Sequence, residues 1–445
     1  MPQHARSAFD DPDRPSEELL LQCIHCGLCL PTCPTYIALG TEADSPRGRL
    51  YLMAGAVDEQ REMTDRFVHH MNLCLLCRAC ETACPSGVRF GSLMESTRAQ
   101  IRSRYRQSTL ERFERHLIFE TLLPNQRRLE SVFWISRIYQ RIGLQRLMRR
   151  SGLVQHLPGG LRYLDEYAPP VPSRFFRAED HPITEPEGRK EHRVGFFSGC
   201  IMSVIYATAN EATLSVLAKN GCEVITPPGQ RCCGALHVHS GELERARRLA
   251  RENIDAFEEA DVEFVVSNAG GCGATLKEYP ELLRMDRRYA TKAQEFGRKV
   301  LDFSEFLNKV GLNKDFGPIQ ARVTYQDSCH LAHVQRIREQ PRSIIKSIPG
   351  VEFVEMKEAD HCCGSAGSYW LTNHGLSMEL LETKMANVMA TKADTVVTSN
   401  PPCLMQLRLG VERKGTRMKV VHLAELLDLA YSAGKAKESN RQTLP

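Results

Sequence analysis

Eight cysteines in the first 85 residues fall into two copies of one spacing. Cys23, Cys26, Cys29 and Cys33 lead into Pro34, and Cys74, Cys77, Cys80 and Cys84 lead into Pro85. Each copy reads C-x2-C-x2-C-x3-C-P. A four-iron cube needs four thiolates converging on one small volume, and a tight turn with a cysteine at every third position supplies three of them. The fourth cysteine of such a run points away and serves the other cluster. The spacing therefore predicts two [4Fe–4S] clusters. Cys23, Cys26, Cys29 and Cys84 hold the first, and Cys33, Cys74, Cys77 and Cys80 hold the second.

The chain has 445 residues, 42% apolar and 25% charged, which allows two or three soluble domains with sizeable cores. Its 17 cysteines are unusual. A disulfide scaffold would be short and exported. Here residues 1–14 are polar and hold no apolar signal region, and the cysteine count is odd. Reduced thiols serving as metal ligands in the cytoplasm are the expected use. No run of 18 apolar residues occurs, so no membrane span is expected. Contact with a quinone would go through a partner or at the membrane surface, with the chain peripheral on the inner face.

The net charge of +4 is unevenly spread. Residues 101–150 hold twelve arginines against four glutamates. Their pattern is helical, with apolar positions at Phe113, Leu117, Ile118, Val132, Trp134, Ile135, Ile138, Ile142 and Leu147. The expected arrangement is a linker helix packing this stripe on its own domain, with its arginines in water. The alternative is a basic amphipathic helix on an anionic membrane or an acidic partner. No nucleic-acid-binding module is recognisable.

Four regions follow: a cysteine-rich module (13–97), a basic helical linker (98–190) and two α/β units (191–312 and 319–436). Residues 47–70, between the cysteine runs, read as one helix. Such an insert points to an α-helical ferredoxin module. Arg47 and Arg49, just after Pro46, read either as donors to the cluster surroundings or to a partner, or as solvated residues of a helix start. A proline-rich break at Pro169, Pro170, Pro172, Pro182 and Pro186 ends the linker. Beyond it, strands near Val194, Val224 and Val265 alternate with helices over 211–219 and 241–260, predicting a mainly parallel sheet.

The second half is a duplication. Cys200, Cys232, Cys233 and Cys272 are repeated as Cys329, Cys362, Cys363 and Cys403, at offsets of 129, 130 and 131. Each set comes from three loops after predicted strands, where open α/β sheets bind ligands. Adjacent cysteines make poor disulfides. Gly234 and Gly364 let the chain turn tightly, Gly270-Gly271 indicate close approach to the site, and Pro401-Pro402 stiffen the second loop. Each set suffices for one further iron–sulfur cluster. A redox-active thiol pair and a structural zinc are the rivals. Cys222 has no counterpart and reads as a buried thiol. His25, His237, His239, His330, His333 and His361 lie near the ligands as candidates to tune them, His330 and His361 foremost.

These features resemble the glycolate oxidase iron–sulfur subunit family over roughly residues 20–430. The resemblance is carried by Cys23-Ile24-His25-Cys26-Gly27, Cys33-Pro34-Thr35-Tyr36, Ser45-Pro46-Arg47-Gly48-Arg49, Cys84-Pro85-Ser86-Gly87-Val88 and Cys362-Cys363-Gly364-Ser365-Ala366-Gly367. The Cys-Cys-Gly units are also similar to lactate-utilisation proteins, the third subunit of anaerobic glycerol-3-phosphate dehydrogenase, and heterodisulfide reductase B-type subunits. The last group usually ends each unit C-x-x-C. Thr275 and Gln406 stand at those positions here, which weakens a disulfide-reductase reading. The resemblance implies an electron-transfer subunit without catalytic residues of its own. It would relay electrons from a flavin-containing partner that oxidises glycolate to glyoxylate towards a quinone or another acceptor. The sequence shows no dinucleotide fingerprint after a strand and no flavin motif, in keeping with that division.

Overall fold

The computed structural model describes residues 13–57, 63–105, 107–156 and 161–442. The polar start of the chain, through residue 12, lies outside them. Among the described residues, nine short strands form two sheets. They are β1 (Ile183–Thr184), β2 (His192–Phe197), β3 (Cys222–Ile225), β4 (Phe264–Ser267), β5 (Val300–Asp302), β6 (Ala321–Tyr325), β7 (Val351–Phe353), β8 (Thr395–Thr398) and β9 (Lys419–His422). The first sheet runs β1-β3-β2-β4-β5 and the second β7-β6-β8-β9. Apart from β1, which pairs antiparallel with β3, all neighbours are parallel. Without β1 the two orders are the same, so the duplication read from cysteines is a duplication of topology. The sheet of the first unit reaches back to β1, ahead of residue 191.

The strands are short, rich in valine and covered on both faces, as parallel sheets require. The two sheets share one core. Val194, Phe196 and Val266 of the first pack in the same cluster as Val323, Tyr325 and Val397 of the second. The C-terminal helix Leu423–Gln442 joins them through Leu423, Leu427 and Ala430. His422 Nε2 meets the Asn268 carbonyl at 2.8 Å across the seam. Helix Ala207–Lys219 ends at Asn220 and Gly221 (φ 71°), at the predicted stop. Helix Leu243–Glu259 buries Leu243, Ala246, Leu249, Ile254 and Phe257, the face its periodicity predicts.

In the cysteine-rich module, residues 47–70 are not one helix. Pro46–Val57 and Asp65–Asn72 are separate helices, with 58–62 outside the described residues. Thr64 caps the second by accepting from the Phe67 amide, a local stop–start signal within the apolar periodicity. Helix Phe90–Arg104 runs on through residue 97 and leads into the linker. It docks the module onto the first α/β unit. Arg98 donates to the His239 carbonyl at 2.8 Å and to the Cys74 carbonyl at 2.6 Å. Arg102 and Arg115 converge on the buried Glu242 at 2.8 and 2.6 Å.

The expected packing of the linker stripe does not occur. Phe113, Leu117, Ile118, Val132, Trp134, Ile135, Ile138, Ile142 and Leu147 are all exposed. The periodicity marked an apolar face correctly, but polar side chains of the longest linker helix hold it to the protein.

Two stability predictions follow from these contacts. A Cβ at Gly241 (φ +76°) would lie 2.5 Å from the Arg98 carbonyl oxygen. Gly241→Ala is expected to destabilise the protein by about 2 kcal/mol or more, read by urea denaturation, and to expose the helix Phe90–Arg104 to protease. Asp302 caps helix Phe303–Val310, but burial pushes its carboxyl up to about 6 and Oδ2 lacks a hydrogen-bond partner. The folded form therefore holds its proton more tightly than the unfolded chain does. This contribution is fully present below about pH 4 and is lost as pH rises through about 6. Asp302→Asn should raise the melting temperature at pH 8 and leave it nearly unchanged at pH 4.

Candidate iron–sulfur sites

All 17 cysteines are free thiols. Cys222 lies fully buried in the shared core, its thiol pushed up to about 12 by burial. The other sixteen lie in the two N-terminal runs and the two repeat units.

The second cysteine run is deeply placed. Cys74, Cys77 and Cys80 are buried, and so is Cys33, the last cysteine of the first run. Burial pushes the Cys77 and Cys80 thiols up, and the nearby Cys33 and Cys74 push the same way. The structure thus brings Cys33 among the second run. The Ser45-Pro46-Arg47-Gly48-Arg49 segment explains how. Arg49, buried, donates to Thr35 Oγ1 at 3.0 Å and to the His70 carbonyl at 2.8 Å. Thr35 Oγ1 stands 3.2 Å from Cys33 Sγ. Arg47 pairs with Glu42 at 2.6 Å and reaches the His25 carbonyl in the first turn at 3.4 Å. One arginine therefore steadies each cysteine run. Cys23, Cys29 and Cys84 are half-buried at the edge of the same apolar core, and Cys26 is exposed.

In the first α/β unit, Cys200, Cys232, Cys233 and Cys272 come together at the carboxyl ends of β2, β3 and β4. Cys200 Sγ lies 3.6 Å from Cys232 Sγ. The thiol contacts continue from Cys232 to Cys233 and from Cys233 to Cys272. A hydrogen bond from Cys200 holds the Cys232 thiol well below its ordinary range, with His237 acting the same way. The second unit repeats the arrangement, with contacts joining Cys329, Cys362, Cys363 and Cys403 in turn. Cys329 is held low by Cys362, and Cys363 by Cys362 and Cys403.

Gly234 (φ +87°) and Gly364 (φ +88°) both take the left-handed turn. Gly270 is needed for a different contact from the one expected. A Cβ there would strike Ser328 Oγ, beside Cys329 of the other unit. The Gly270 amide also donates to the Ser399 carbonyl at 2.9 Å, and the Gly271 amide to Asn400 Oδ1 at 3.1 Å. The loop carrying Cys272 is therefore seated on the loops carrying Cys329 and Cys403. Pro401 and Pro402 open the helix Pro401–Arg413, placing Cys403 in its first turn. The Cys403 thiol is pushed well above its ordinary range, first by its hydrogen bond to Cys363 and then by burial.

Several supporting residues carried no sequence signal. Asn253 Nδ2 donates to the Cys232 carbonyl at 3.1 Å, and Tyr279 Oη to the Cys233 carbonyl at 2.9 Å, pinning the Cys-Cys loop. In the second unit Lys384, 2% exposed, donates to the Glu358 and Ala359 carbonyls at 2.7 and 3.2 Å. Burial lowers the Lys384 ammonium while the neighbouring Cys363 and Cys362 thiols favour its charge. Among the histidines, His330 Nδ1 lies 3.5 Å from Cys329 Sγ, with Nε2 buried and unpartnered. His239 pairs with Glu95 at 3.1 Å, and His333 with the Asp360 carbonyl at 3.1 Å. His361 turns instead towards Glu358, 3.7 Å away, and His25 is exposed. Thr275 and Gln406 are engaged internally, with the Gly271 carbonyl and Ser377.

The donor set fits iron–sulfur clusters: soft thiols in fours, unbridged and mostly buried. A structural zinc would need its ligands around one point. A cube takes one thiolate per iron and so spreads its ligands.

Comparison with known proteins agrees. Residues 19–88 match the 4Fe-4S dicluster domain, 110–168 the linker region of the glycolate oxidase iron-sulfur subunit, and 194–277 and 323–408 the cysteine-rich domain. The chain is 45% identical to the probable glycolate oxidase iron-sulfur subunit of Bacillus subtilis (strain 168), over 93% of its own length and 95% of that protein. The chain belongs to the glycolate oxidase iron–sulfur subunit family. The glycolate oxidase iron-sulfur subunit of Escherichia coli (strain K12) is 31% identical over the same shares. Lactate utilization protein A of Oceanobacillus iheyensis is 33% identical across all of its length, but over 55% of this chain. In this family member the dicluster domain carries both cysteine runs, and the cysteine-rich domain occurs twice.

Thiol replacement separates ligands from bystanders. Cys233→Ser and Cys363→Ser are each expected to lower the iron content of anaerobically purified protein while the dicluster signals persist. Cys222→Ser should leave iron unchanged. Iron and acid-labile sulfide analysis checks both.

Proposed function

We propose that this chain is the electron-relay subunit of a glycolate-oxidising complex. A flavin-containing partner would take electrons from glycolate, giving glyoxylate, and this chain would pass them towards a quinone or another acceptor. The complex would be peripheral on the inner face of the cell membrane. Iron–sulfur clusters, when bound, accept and release electrons one at a time over potentials of roughly −700 to +450 mV. Everything else is the work of this chain's residues: holding the cysteine sets in series, excluding water and placing charge beside them.

One observation carries the reading. The second cysteine run is packed directly against the second α/β unit. Cys77 and Cys362 share an apolar cluster with Leu75 and Tyr369, and Cys329 lies against it. Tyr369 Oη donates to the Leu73 carbonyl at 2.9 Å, and Thr82 meets His333 at 3.0 Å. Arg78 joins Glu81 to Glu278 of the first unit. This packing supports a series running from the exposed set (Cys23, Cys26, Cys29, Cys84) through the buried set (Cys33, Cys74, Cys77, Cys80) to the second unit. The seat of the Cys272 loop on the second unit extends the series to the first unit. The exposed set would face the flavin partner: Ile24 and Leu28, on either side of Cys26, are 67% and 56% exposed. A disulfide-reductase reading loses support from Thr275 and Gln406.

The isolated chain should show no glycolate turnover, yet its clusters should become reduced when the flavin-containing partner and glycolate are added anaerobically. Electron paramagnetic resonance reads this directly. Turnover by the chain alone would refute the division of labour, and faster reduction by lactate or glycerol 3-phosphate with their own flavoproteins would move the chain to a related complex. Ile24→Glu is expected to slow reduction by the partner about tenfold or more, with iron content unchanged.

A further inference from the structure

The linker helix Gln126–Arg141 is amphipathic with its polar side inward. Gln126 Nε2 donates to the Phe176 carbonyl at 2.7 Å, Gln140 Nε2 to the Pro169 carbonyl at 3.0 Å and Arg137 Nη1 to the Pro172 carbonyl at 3.1 Å. Glu130, buried, accepts from Arg177 at 2.7 Å. Leu129 and Phe133 pack into a core cluster beside these contacts, but Val132, Trp134, Ile135 and Ile138 face out. Trp134, Ile135 and Ile142 are 51%, 63% and 67% exposed, and Ile138 is exposed beside them. Positions 135, 138 and 142 form one stripe on a helix. The following helix, Leu144–Arg150, adds the exposed Leu147.

Exposed arginines accompany the stripe: Arg127, Arg128, Arg141, Arg146 and Arg150. Among the described residues none of the five side chains has a hydrogen-bond or ion-pair partner. Arg115, Arg137 and Arg149, by contrast, are all engaged within the chain. A surface helix ordinarily turns its apolar stripe to the core. Single exposed apolar residues need no explanation, but a contiguous stripe does. Unpaired cations beside it select an anionic cover. Tryptophan, isoleucine and long-stemmed arginine together compose a helix lying flat at a lipid interface.

A second feature adjoins the stripe. A cleft of about 980 Å³, lined by Trp134 and Ile135 along with Gln126 and Arg127, reaches Cys200 and Cys232 of the first α/β unit. The helix that bears the stripe thus also borders the opening to a cysteine set. No helix among the described residues is long and apolar enough to cross a membrane, so attachment through these elements would be at the surface.

We propose that the outer face of the linker helices docks on a bilayer containing anionic phospholipid. The apolar stripe enters the head-group boundary, the five arginines meet lipid phosphates, and the cleft to Cys200 and Cys232 opens at the membrane surface. The role given to the cleft rests on the relay reading. Docking itself is measured without turnover, so the two fail separately.

The test is co-sedimentation of the full chain, purified anaerobically, with vesicles of phosphatidylglycerol and phosphatidylcholine or of phosphatidylcholine alone. Binding is expected only to the anionic vesicles and should weaken with salt. The triple change Arg127→Glu, Arg128→Glu, Arg141→Glu should cost about a hundredfold in vesicle affinity. Among the described residues these three side chains make no hydrogen bond or ion pair, so its iron content and circular dichroism should match the unaltered chain. Trp134→Ser with Ile138→Ser should weaken binding too, and Trp134 fluorescence should shift to the blue on anionic vesicles. Equal binding to neutral vesicles, no binding, or unchanged binding by the charge variant would overturn the proposal. So would loss of vesicle binding once the chain is assembled with its flavin-containing partner, because the face would then belong to that protein.

Discussion

Crowded thiols are the constraint on which this structure turns. Nine of the sixteen candidate ligands are buried. Such groups resist charge when buried. Cations are correspondingly placed around them. Arg49 stands behind Thr35 and Cys33, Arg98 caps the Cys74 carbonyl, and Lys384 lies beneath Cys363. Histidines take the same role at Cys329 and Cys232. Arg49, Arg98 and Lys384 are each fixed by a further hydrogen bond to backbone, so position and charge are set together.

The duplicated α/β units solve a geometric problem. A parallel sheet delivers loops to one end, and three loops deliver four thiols there. Sharing a single core then makes the two ends adjacent. Gly270 is where that adjacency is tightest, since any side chain would meet Ser328 of the other unit. The dicluster domain completes the row by inserting its second cysteine run beside the second unit, with Tyr369 and His333 as the fasteners. One end of the row stays open at Cys26. The other lies under the linker at Cys200. A relay subunit needs both: a buried middle and two accessible ends.

Much of this was legible in local spacing. The cysteine runs and the strand–helix alternation are short-range patterns, and the duplication is read by matching one such pattern to its copy. A tight turn or a period-3.6 face is written within a few residues of itself. The same logic found the stop at Asn220-Gly221 and the buried face of Leu243–Glu259. It failed for residues 47–70, where the Thr64 cap interrupts a pattern that apolar spacing alone carries through. It failed again for the linker, because periodicity marks a face without saying what covers it.

The sequence by itself determined which cysteines act together within a run or a repeat unit, because those sets are spaced by turn geometry and by duplication. Only the tertiary structure decided what surrounds them. Asn253, Tyr279, Arg98 and Lys384 reach the cysteine loops from elements distant in the chain, and no local pattern distinguishes them from ordinary helix residues. The orientation of the linker was decided there as well. Its polar side chains found carbonyl partners tens of residues away, and that pairing turned tryptophan and isoleucine outward.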